Sequence, residues 1–256
     1  MNEFELLAEL ERRGLIVGVE HDAAEIDGLV VTQDTLVEGV HFRFDLLDWR
    51  ELGFRAAAVN ISDLAASGAE PVALFVTLAA PDLDGAIAFY EGIVEAGVPV
   101  RGGDTTRADA VVITVTALGR AERVPGRAGA QPGDLLVVTG PLGGAGAAFR
   151  EGSLPRPPIR TTEGRDLARV AHAMLDISDG LGADAGHIAR RSGCRLVIDL
   201  ERVPLAAGAT LEDLSFGEDY ELLAATPDPL GFAVIGRCEE GSGVEPAGLG
   251  GWEHFG

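Results

Sequence analysis

Short apolar runs divide the 256-residue chain, and clusters of acidic, hydroxyl and glycine residues stand directly beside several of them. The apolar run at residues 29–31 has the length and the β-branched content of a buried strand. Thr32, Asp34 and His41 follow it within a largely polar segment. Because a carboxylate directly after a buried strand is held in place by the fold, this segment is the first candidate for a functional site.

A longer pattern predicts a helix over Trp49–Ala66. Its apolar positions are Leu52, Phe54, Ala57, Val59 and Leu64. Asn60, Ser62 and Asp63 interrupt the apolar stretch. Aspartate competes with the backbone for hydrogen bonds inside a helix, so an acid among alanines indicates close packing around a functional group. The alternative interpretation is an exposed face of the helix.

The remaining runs predict a mixed α/β (α+β) fold. Predicted strands cover residues 72–78, 111–118, 135–140 and 195–200, and predicted helices cover residues 3–13, 83–96, 165–174 and 181–192. Residues 121–134 are rich in Arg, Gly and Pro and form the best candidate for a domain boundary. We therefore expect an N-terminal domain over residues 1–125 and a C-terminal domain over residues 126–256.

Two more clusters repeat the pattern of an acid beside Ser, Thr or Gly. Residues 102–106 place Asp104 after paired glycines, and residues 176–180 contain Asp176 and Asp179. Paired glycines let the backbone approach a ligand and expose N–H donors, but Gly-Gly is also a turn signal that could form a hairpin with the next strand. Asp22 lies on a loop before the first strand, where a turn acid is the alternative. We interpret these acids as converging on metal ions that hold a nucleoside triphosphate.

Two weaker signals lie in the second half of the chain. A glycine-rich turn at residues 143–146 follows a predicted strand and could hold a phosphate at a helix N-terminus, although its spacing does not match G-x-G-x-x-G. Residues 216–223 place Glu218 and Asp219 after a glycine and before a strand.

Charge narrows the classes of function. Acidic residues outnumber basic residues 41 to 20, and the net charge of −21 argues against nucleic acid or an anionic membrane as a partner. All 20 basic residues are Arg. The absence of Lys excludes a Walker A loop, a protein-kinase-type site and Schiff-base chemistry, since each needs a lysine. Any bound phosphate must therefore contact Arg, backbone N–H groups or metal ions.

The cysteine content and the apolar runs bear on the compartment. Cys194 and Cys238 are far apart in the sequence and have no metal-ligand spacing, which favours a reduced, cytoplasmic protein. The longest apolar runs are far shorter than the ~20 residues of a membrane span.

The motifs DTLVEGVHF, NISDLAASGAEP, GGDTTR, PGDLLVVTG, DISDGL, GEDYEL and GWEHF occur in this order between Asp22 and Phe255. Together they resemble thiamine-monophosphate kinase, over nearly the whole chain. The resemblance implies two α/β domains of the aminoimidazole ribonucleotide synthetase-like fold, with the N-terminal sheet pairing across a homodimer. It also implies phosphorylation of thiamine monophosphate to thiamine diphosphate by direct transfer from ATP, assisted by several Mg²⁺ ions.

The resemblance also assigns roles to individual residues. The family's magnesium ligands fall on Asp22, Thr32, Asp34, Asp63, Asp104, Asp176 and Asp179. Its nucleotide contacts fall on Gly103, Asp104, Arg127 and Ser178, and its thiamine phosphate contacts fall on His41, Glu218 and Trp252. The acceptor is an ionised phosphate, so no general base is required, and Asp34, Asp63 and Asp104 are expected to be essential through the metal ions.

The sequence departs from the family pattern at two places beside Asp22 and Asp34. Gln33 stands where the family usually has Ser or Thr, and Glu20-His21 replace a Gly-Asp pair. Two other functions remain open at this point. One is a different ATP-dependent synthetase or cyclo-ligase of the same superfamily, and the other is a nucleotide-binding relative without catalysis.

Overall fold

The computed structural model describes residues 3–16 and 22–252, which form two β-sheets with helices packed against them. The helices are α1 (Glu3–Arg12), α2 (Trp49–Ala66), α3 (Ala86–Glu95), α4 (Gly144–Arg150), α5 (Thr161–Ala168) and α6 (Leu181–Ser192). The strands are β1 (Ala24–Ile26), β2 (Leu29–Val37), β3 (Glu70–Ala80), β4 (Val100–Arg107), β5 (Val112–Arg120), β6 (Leu135–Val138), β7 (Ala173–Asp176), β8 (Arg195–Ile198), β9 (Leu222–Thr226), β10 (Ala233–Glu239) and β11 (Gly243–Glu245). Two short 3₁₀ helices lie at Leu200–Arg202 and Leu211–Ser215.

The first sheet has the strand order β1-β2-β5-β3-β4 and is antiparallel except where β3 pairs with β4. One face of it packs against α2 and α3, and Leu52, Ile61 and Phe89 are fully buried there. The second sheet has the order β11-β8-β10-β6-β9-β7, with α6 in its core. The mixed α/β fold class is therefore confirmed.

Helix α2 contacts both sheets. Its apolar residues between Leu52 and Leu64 lie in the core of the first sheet, whereas Ala65 and Ala66 pack with Val137, Met174 and Leu222 of the second. Small alanine side chains permit this close approach on several sides at once. A single helix therefore fixes the position of the two sheets relative to each other.

The ends of α2 follow from its sequence. Asp48 caps its start, because the side chain of Asp48 accepts the N–H of Glu51 at 2.9 Å. Gly68 follows its end with a φ of +67°, a left-handed conformation that glycine adopts without steric cost. The prediction of a helix over Trp49–Ala66 is confirmed, as is that of a helix over Leu181–Ser192.

The strand predicted at residues 29–31 is too short. β2 continues to Val37 because alternate side chains keep facing the helices: Thr32 is buried, whereas Gln33 and Thr35 are exposed. An alternation of polar residues on both faces is a strand pattern without an apolar run, which is why the sequence reasoning missed it.

The alternative of a hairpin at residues 102–106 is wrong. These residues lie inside β4, an edge strand that pairs parallel to β3, while β5 pairs with β2 and β3. The chain returns from β3 to β4 through α3, as a parallel pair requires. The helix expected at residues 165–174 is also wrong, because α5 ends at Ala168 and the strand β7 pairs with β9.

No helix within residues 3–16 and 22–252 combines the length and the apolar content that crossing a membrane requires.

Gly53 and Gly92 set the distance between α2 and α3. A side chain at Gly53 would overlap the carbonyl oxygen of Phe89, and one at Gly92 would overlap the carbonyl oxygen of Arg50. We expect Gly53→Ala to lower the free energy of unfolding by about 1–3 kcal/mol, because the two helices must separate. Denaturant titration followed by circular dichroism measures this difference.

The matched control is Gly186→Ala in α6, where an added methyl group would meet only the flexible guanidinium end of Arg190. This substitution should be neutral or stabilise the protein by up to about 1 kcal/mol, because alanine is the better helix former. An equal effect of both substitutions would contradict the role of Gly53 in helix packing.

Candidate active site

Three carboxylates from separate segments meet at α2, which itself carries one of them, Asp63. Asp22, Asp63 and Asp176 each place an oxygen within 4.8 Å of the others. The hydroxyl of Thr32 lies 2.5 Å from Oδ2 of Asp63 and 3.1 Å from the carbonyl oxygen of Asp22. The structure thus brings together four of the seven predicted metal ligands as one group, and a side-chain hydrogen bond between Asp34 and Asp63 adds a fifth.

The polar residues of α2 align the neighbouring strands. Oδ1 of Asn60 accepts the backbone N–H of Asp34 at 3.0 Å, and its Nδ2 donates to the carbonyl oxygen of Ala56. Ser62 donates a hydrogen bond to Oδ2 of Asp176. Asn60 and Ser62 are buried, so the alternative of an exposed helix face is wrong.

Burial of these acids changes their protonation. Burial, together with the charges of Asp22 and Asp179, raises the pKa of Asp34 to about 6. Burial and the charge of Asp22 raise the pKa of Asp176 to about 7. For the same reason, burial beside Asp34 raises the pKa of Asp63 well above its usual value. The cluster is therefore short of positive charge.

The donor set fits Mg²⁺. Carboxylate and hydroxyl oxygens are the hard ligands that this cation prefers, and a divalent cation favours the ionised form of each acid. Arg127 supplies part of the compensating charge, since its Nε donates to Oδ1 of Asp22 at 2.8 Å. The raised pKa values of Asp34, Asp63 and Asp176 show that this single ion pair does not balance them.

The loop between β7 and α6 carries two predicted residues, Ser178 and Asp179. Oδ2 of Asp184 accepts the backbone N–H groups of Asp179 and Gly180 at 3.0 Å each and so fixes this turn. Asp179 also groups with Asp184 and His187, whose ligand atoms lie within 4.8 Å of one another. Burial lowers the pKa of His187 to about 3, so its imidazole is neutral.

The acid cluster opens into a cavity of about 950 Å³. The predicted acceptor residues His41, Glu218 and Trp252 line the same cavity. Nδ1 of His41 accepts the backbone N–H of Val37 at 3.0 Å, so the neutral imidazole carries its hydrogen on Nε2. The backbone N–H of Trp252 donates to the carbonyl oxygen of Asp179 at 2.9 Å, which ties the last described residue to the metal-side loop.

The glycine-rich turn at residues 143–146 does not form a phosphate site. Asp219 accepts the N–H of Gly143 at 2.7 Å and that of Ala145 at 3.4 Å. A carboxylate of the chain therefore occupies the N-terminus of α4, the position at which a phosphate could have been held. The neighbouring Glu221 is also held internally, by Arg160 and Thr139.

Sequence reasoning missed Arg55. This residue of α2 is 2% exposed, forms an ion pair with Glu218 and donates to the carbonyl oxygen of Pro155 at 2.8 Å. The sequence held one signal for it, a charged residue beside the apolar positions of a helix that the pattern already placed in the core.

Asp104 and Gly103 lie apart from the cluster. The strand register places Thr35, Thr114, Thr77 and Asp104 in one row across the first sheet. That row lies on the exposed face, whereas Thr32 and Asp34 belong to the face that packs on the helices. Three strand spacings separate Asp104 from β2, about 14 Å.

Gln33 lies on the same exposed face as that row. Its Oε1 accepts a hydrogen bond from Thr116 at 2.9 Å. Glu20 and His21, the other departure from the family pattern, lie outside the described residues.

The raised pKa values predict a pH-dependent response to Mg²⁺. Asp34 and Asp176 have pKa values of about 6 and about 7 in the folded protein, against ~3.9 when unfolded. The folded state therefore holds extra protons between pH ~4 and ~7, and stability without metal falls as the pH rises through this window. We expect Mg²⁺ to raise the melting temperature by about 5 °C at pH 8 and by less at pH 5.5.

Thermal unfolding in Mg²⁺ and in chelator, at both pH values, measures this response. Asp63→Asn should remove most of the shift at pH 8, and the exposed Asp109→Asn should keep it. An equal Mg²⁺ shift at both pH values would show that the cluster does not bind the ion.

Comparison with known proteins agrees with this geometry. Residues 20–121 match the AIR synthase related protein, N-terminal domain, and residues 131–244 match the AIR synthase related protein, C-terminal domain. The chain is 35% identical over 270 residues to the thiamine-monophosphate kinase of Pyrococcus horikoshii, covering 89% of this chain and 86% of that protein. It is 33% identical over 270 residues to the enzyme of the same name from Escherichia coli, with coverages of 88% and 83%.

A solved structure described as AaThiL complexed with AMPPCP and TMP has a TM-score of 0.90 to this chain at 32% identity. The alignment covers 99% of this chain and 97% of that one. By these sequence and structural matches, the chain belongs to the thiamine-monophosphate kinase family of AIR synthase related proteins.

Proposed function

We propose that this chain transfers the γ-phosphoryl group of ATP to the phosphate of thiamine monophosphate, giving ADP and thiamine diphosphate. The observation that carries the proposal is one cavity lined both by a cation-deficient carboxylate cluster and by aromatic side chains. Relatives across most of the chain are named thiamine-monophosphate kinase, and the similar solved structure is described as a complex with AMPPCP and TMP.

The carboxylates form the metal side of the proposed site. Magnesium ions would be held by Asp22, Thr32, Asp34, Asp63, Asp176 and Asp179. Bound Mg²⁺ would supply neutralisation of the charge on the transferring phosphoryl group. The chain keeps the carboxylates oriented through Asn60 and Ser62. Arg127 and Ser178 line the cavity beside them and would contact the nucleotide.

The acceptor side fits a positively charged aromatic molecule. Phe149 and Phe216 line the cavity with their ring centroids 5.1 Å apart, and Trp252 lines it as well. Aromatic faces and the carboxylate of Glu218 both favour a cationic ring such as thiazolium. The Nε2–H of His41 would donate to the acceptor phosphate, which needs no general base because its oxygens are already ionised.

We propose that the protein is a homodimer in which Asp104 and Gly103 serve the partner's nucleotide site. Both lie on the exposed edge strand β4, whose outer side has no strand neighbour in the described chain. The exposed face of the first sheet, which carries Asp104, also exposes Val72 and Phe75, at 44% and 39% of their surfaces. Pairing of two copies through this sheet would cover these apolar groups and bring Asp104 to a second metal cluster.

We also propose the limits of the two domains and the compartment of the protein. The domain limits are 1–125 and 126–256, since the first sheet ends at Arg120 and the second begins at Leu135. The protein resides in the reducing cytoplasm, since the buried Cys194 and Cys238 are free thiols.

Incubation of the purified chain with ATP, Mg²⁺ and thiamine monophosphate, with chromatographic separation of the products, tests the function. We expect equal amounts of ADP and thiamine diphosphate. Asp63→Asn should reduce turnover by ~10²-fold or more, because an amide cannot balance the cation's charge. The exposed Asp109→Asn is the matched control and should turn over normally.

Two results would contradict the proposed function. ADP formed only with a different acceptor would assign the chain to another synthetase of the superfamily. Metal-dependent ATP binding with no turnover on any acceptor would make it a non-catalytic nucleotide-binding relative.

Co-expression of differently tagged chains tests the shared site. A mixed dimer of Asp63→Asn and Asp104→Asn chains has one site in which both residues are intact, if Asp104 acts across the interface. We expect that dimer to recover about half of the parent turnover, although each variant alone is inactive. A mixed dimer of Asp63→Asn and Asp34→Asn chains should stay inactive, since both residues belong to the same cluster. No recovery in the first pair would place Asp104 outside the partner's site.

A further inference from the structure

Arg55 is a buried cation of α2 that is paired with a residue of the site. Its guanidinium forms an ion pair with Glu218 and a 2.8 Å hydrogen bond to the carbonyl oxygen of Pro155. A fully buried arginine is costly unless its charge is paired and its N–H groups are satisfied. Arg55 does not line the cavity, whereas Glu218 does. The arginine therefore contacts the Glu218 carboxylate from outside the cavity lining.

The backbone around Glu218 is held in an unfavourable conformation. Glu218 and Tyr220 have φ values of +61° and +52°, in the left-handed region that side chains other than glycine rarely adopt. Their N–H groups donate to the carbonyl oxygens of Ser178 and Ile177 at 2.8 Å each. The strained segment is thereby fixed against the loop that carries Asp179.

The side chain of Glu218 is fixed separately from this backbone. The hydroxyl of Tyr220 donates to Oε1 at 3.2 Å, and Arg55 binds Oε2. Glutamate has rotatable bonds that would otherwise let its carboxylate take several positions in a cavity of about 950 Å³. An arginine fork that is itself anchored on a main-chain carbonyl restricts the carboxylate to one position.

The position of Arg55 on α2 links the two sides of the site. Arg55 and Ser62 lie seven residues apart and so share one face of the helix, the face toward the second sheet. Ser62 binds Asp176 on the metal side, and Arg55 binds Glu218 on the acceptor side. One rigid helix thus sets the separation between a metal ligand and the acceptor carboxylate.

We propose that Arg55 is a positioning residue for the acceptor, holding the Glu218 carboxylate where it meets the cationic ring system of the acceptor. The inference rests on the proposed function, because it names thiamine monophosphate as the molecule that Glu218 contacts. Arg55 acts through Glu218 alone and does not touch either substrate. Loss of Arg55 should therefore weaken binding of the acceptor and leave binding of the nucleotide unchanged.

Steady-state kinetics of Arg55→Met, Arg55→Lys, Glu218→Gln and the double variant Arg55→Met/Glu218→Gln test this role. We expect Arg55→Met to raise the KM for thiamine monophosphate by about tenfold and to change the KM for ATP by less than twofold. Arg55→Lys should recover part of the loss, since an ammonium keeps the charge but cannot bind Glu218 and Pro155 as a fork. The double variant should match Glu218→Gln alone, because the two residues act as one unit.

Arg50→Met is the matched control, since Arg50 lies on the same helix and pairs with Glu91 and Glu95 on the surface. It should leave both KM values unchanged. Should Arg55→Met fail to fold, Arg55→Lys alone and combined with Glu218→Gln gives the same comparison.

Three results would overturn the inference. They are an unchanged KM for thiamine monophosphate in the Arg55 variants, an equal rise in both KM values, and independent effects of the Arg55 and Glu218 substitutions. A parent chain that turns over ATP but not thiamine monophosphate would overturn the proposed function and this inference together. A parent chain that does turn it over, with any of the three results, overturns the inference alone.

Discussion

The rest of the structure depends on burying several carboxyl groups against one helix. Moving a carboxylate out of water costs several kcal/mol, and a hydrogen bond to a charged group returns only about 1.5–3 kcal/mol. Thr32 and Ser62 provide such bonds to Asp63 and Asp176, yet both acids keep raised pKa values. A divalent cation bound to these acids would remove the remaining cost, so the arrangement of the carboxyl groups favours the proposed cation site.

This arrangement explains why α2 is polar at positions where a core helix is usually apolar. The helix packs against both sheets, so residues that face either sheet cannot reach water. Asn60, Ser62 and Arg55 each meet a defined partner instead, namely Asp34, Asp176 and Glu218. Every one of these bonds joins α2 to a segment that lines the cavity, which is how a packing element also determines the geometry of the site.

Features set by residues close together in the sequence were predictable, and features set by residues far apart in the sequence were not. The limits of α2 and α6 were predictable because caps and glycines act within a few residues, and the polar interruption at Asn60, Ser62 and Asp63 identified a buried group. The exposed position of Asp104 was not predictable, because it follows from the parallel pairing of two strands that α3 separates. The pairing of Arg55 with Glu218 spans 163 residues and leaves no local pattern. The helix N-terminus at residues 143–146 looked available because the acid that fills it, Asp219, lies 76 residues further along the chain.

The arginines that line the cavity are already paired with acids of the chain. With no lysine in the chain, phosphate charge can be met only by Arg, by backbone N–H groups or by metal ions. Arg43, Arg127 and Arg150 line the cavity and are paired with Asp45, Asp22 and Asp213. Outside the lining, Arg55 and Arg160 are paired with Glu218 and Glu221. The N–H groups at the start of α4 are taken by Asp219. These cations and donors around the cavity orient acids of the chain. In the proposed function, the charge of a triphosphate would therefore fall mainly to metal ions on those same acids, as expected for a site built mainly from negative residues.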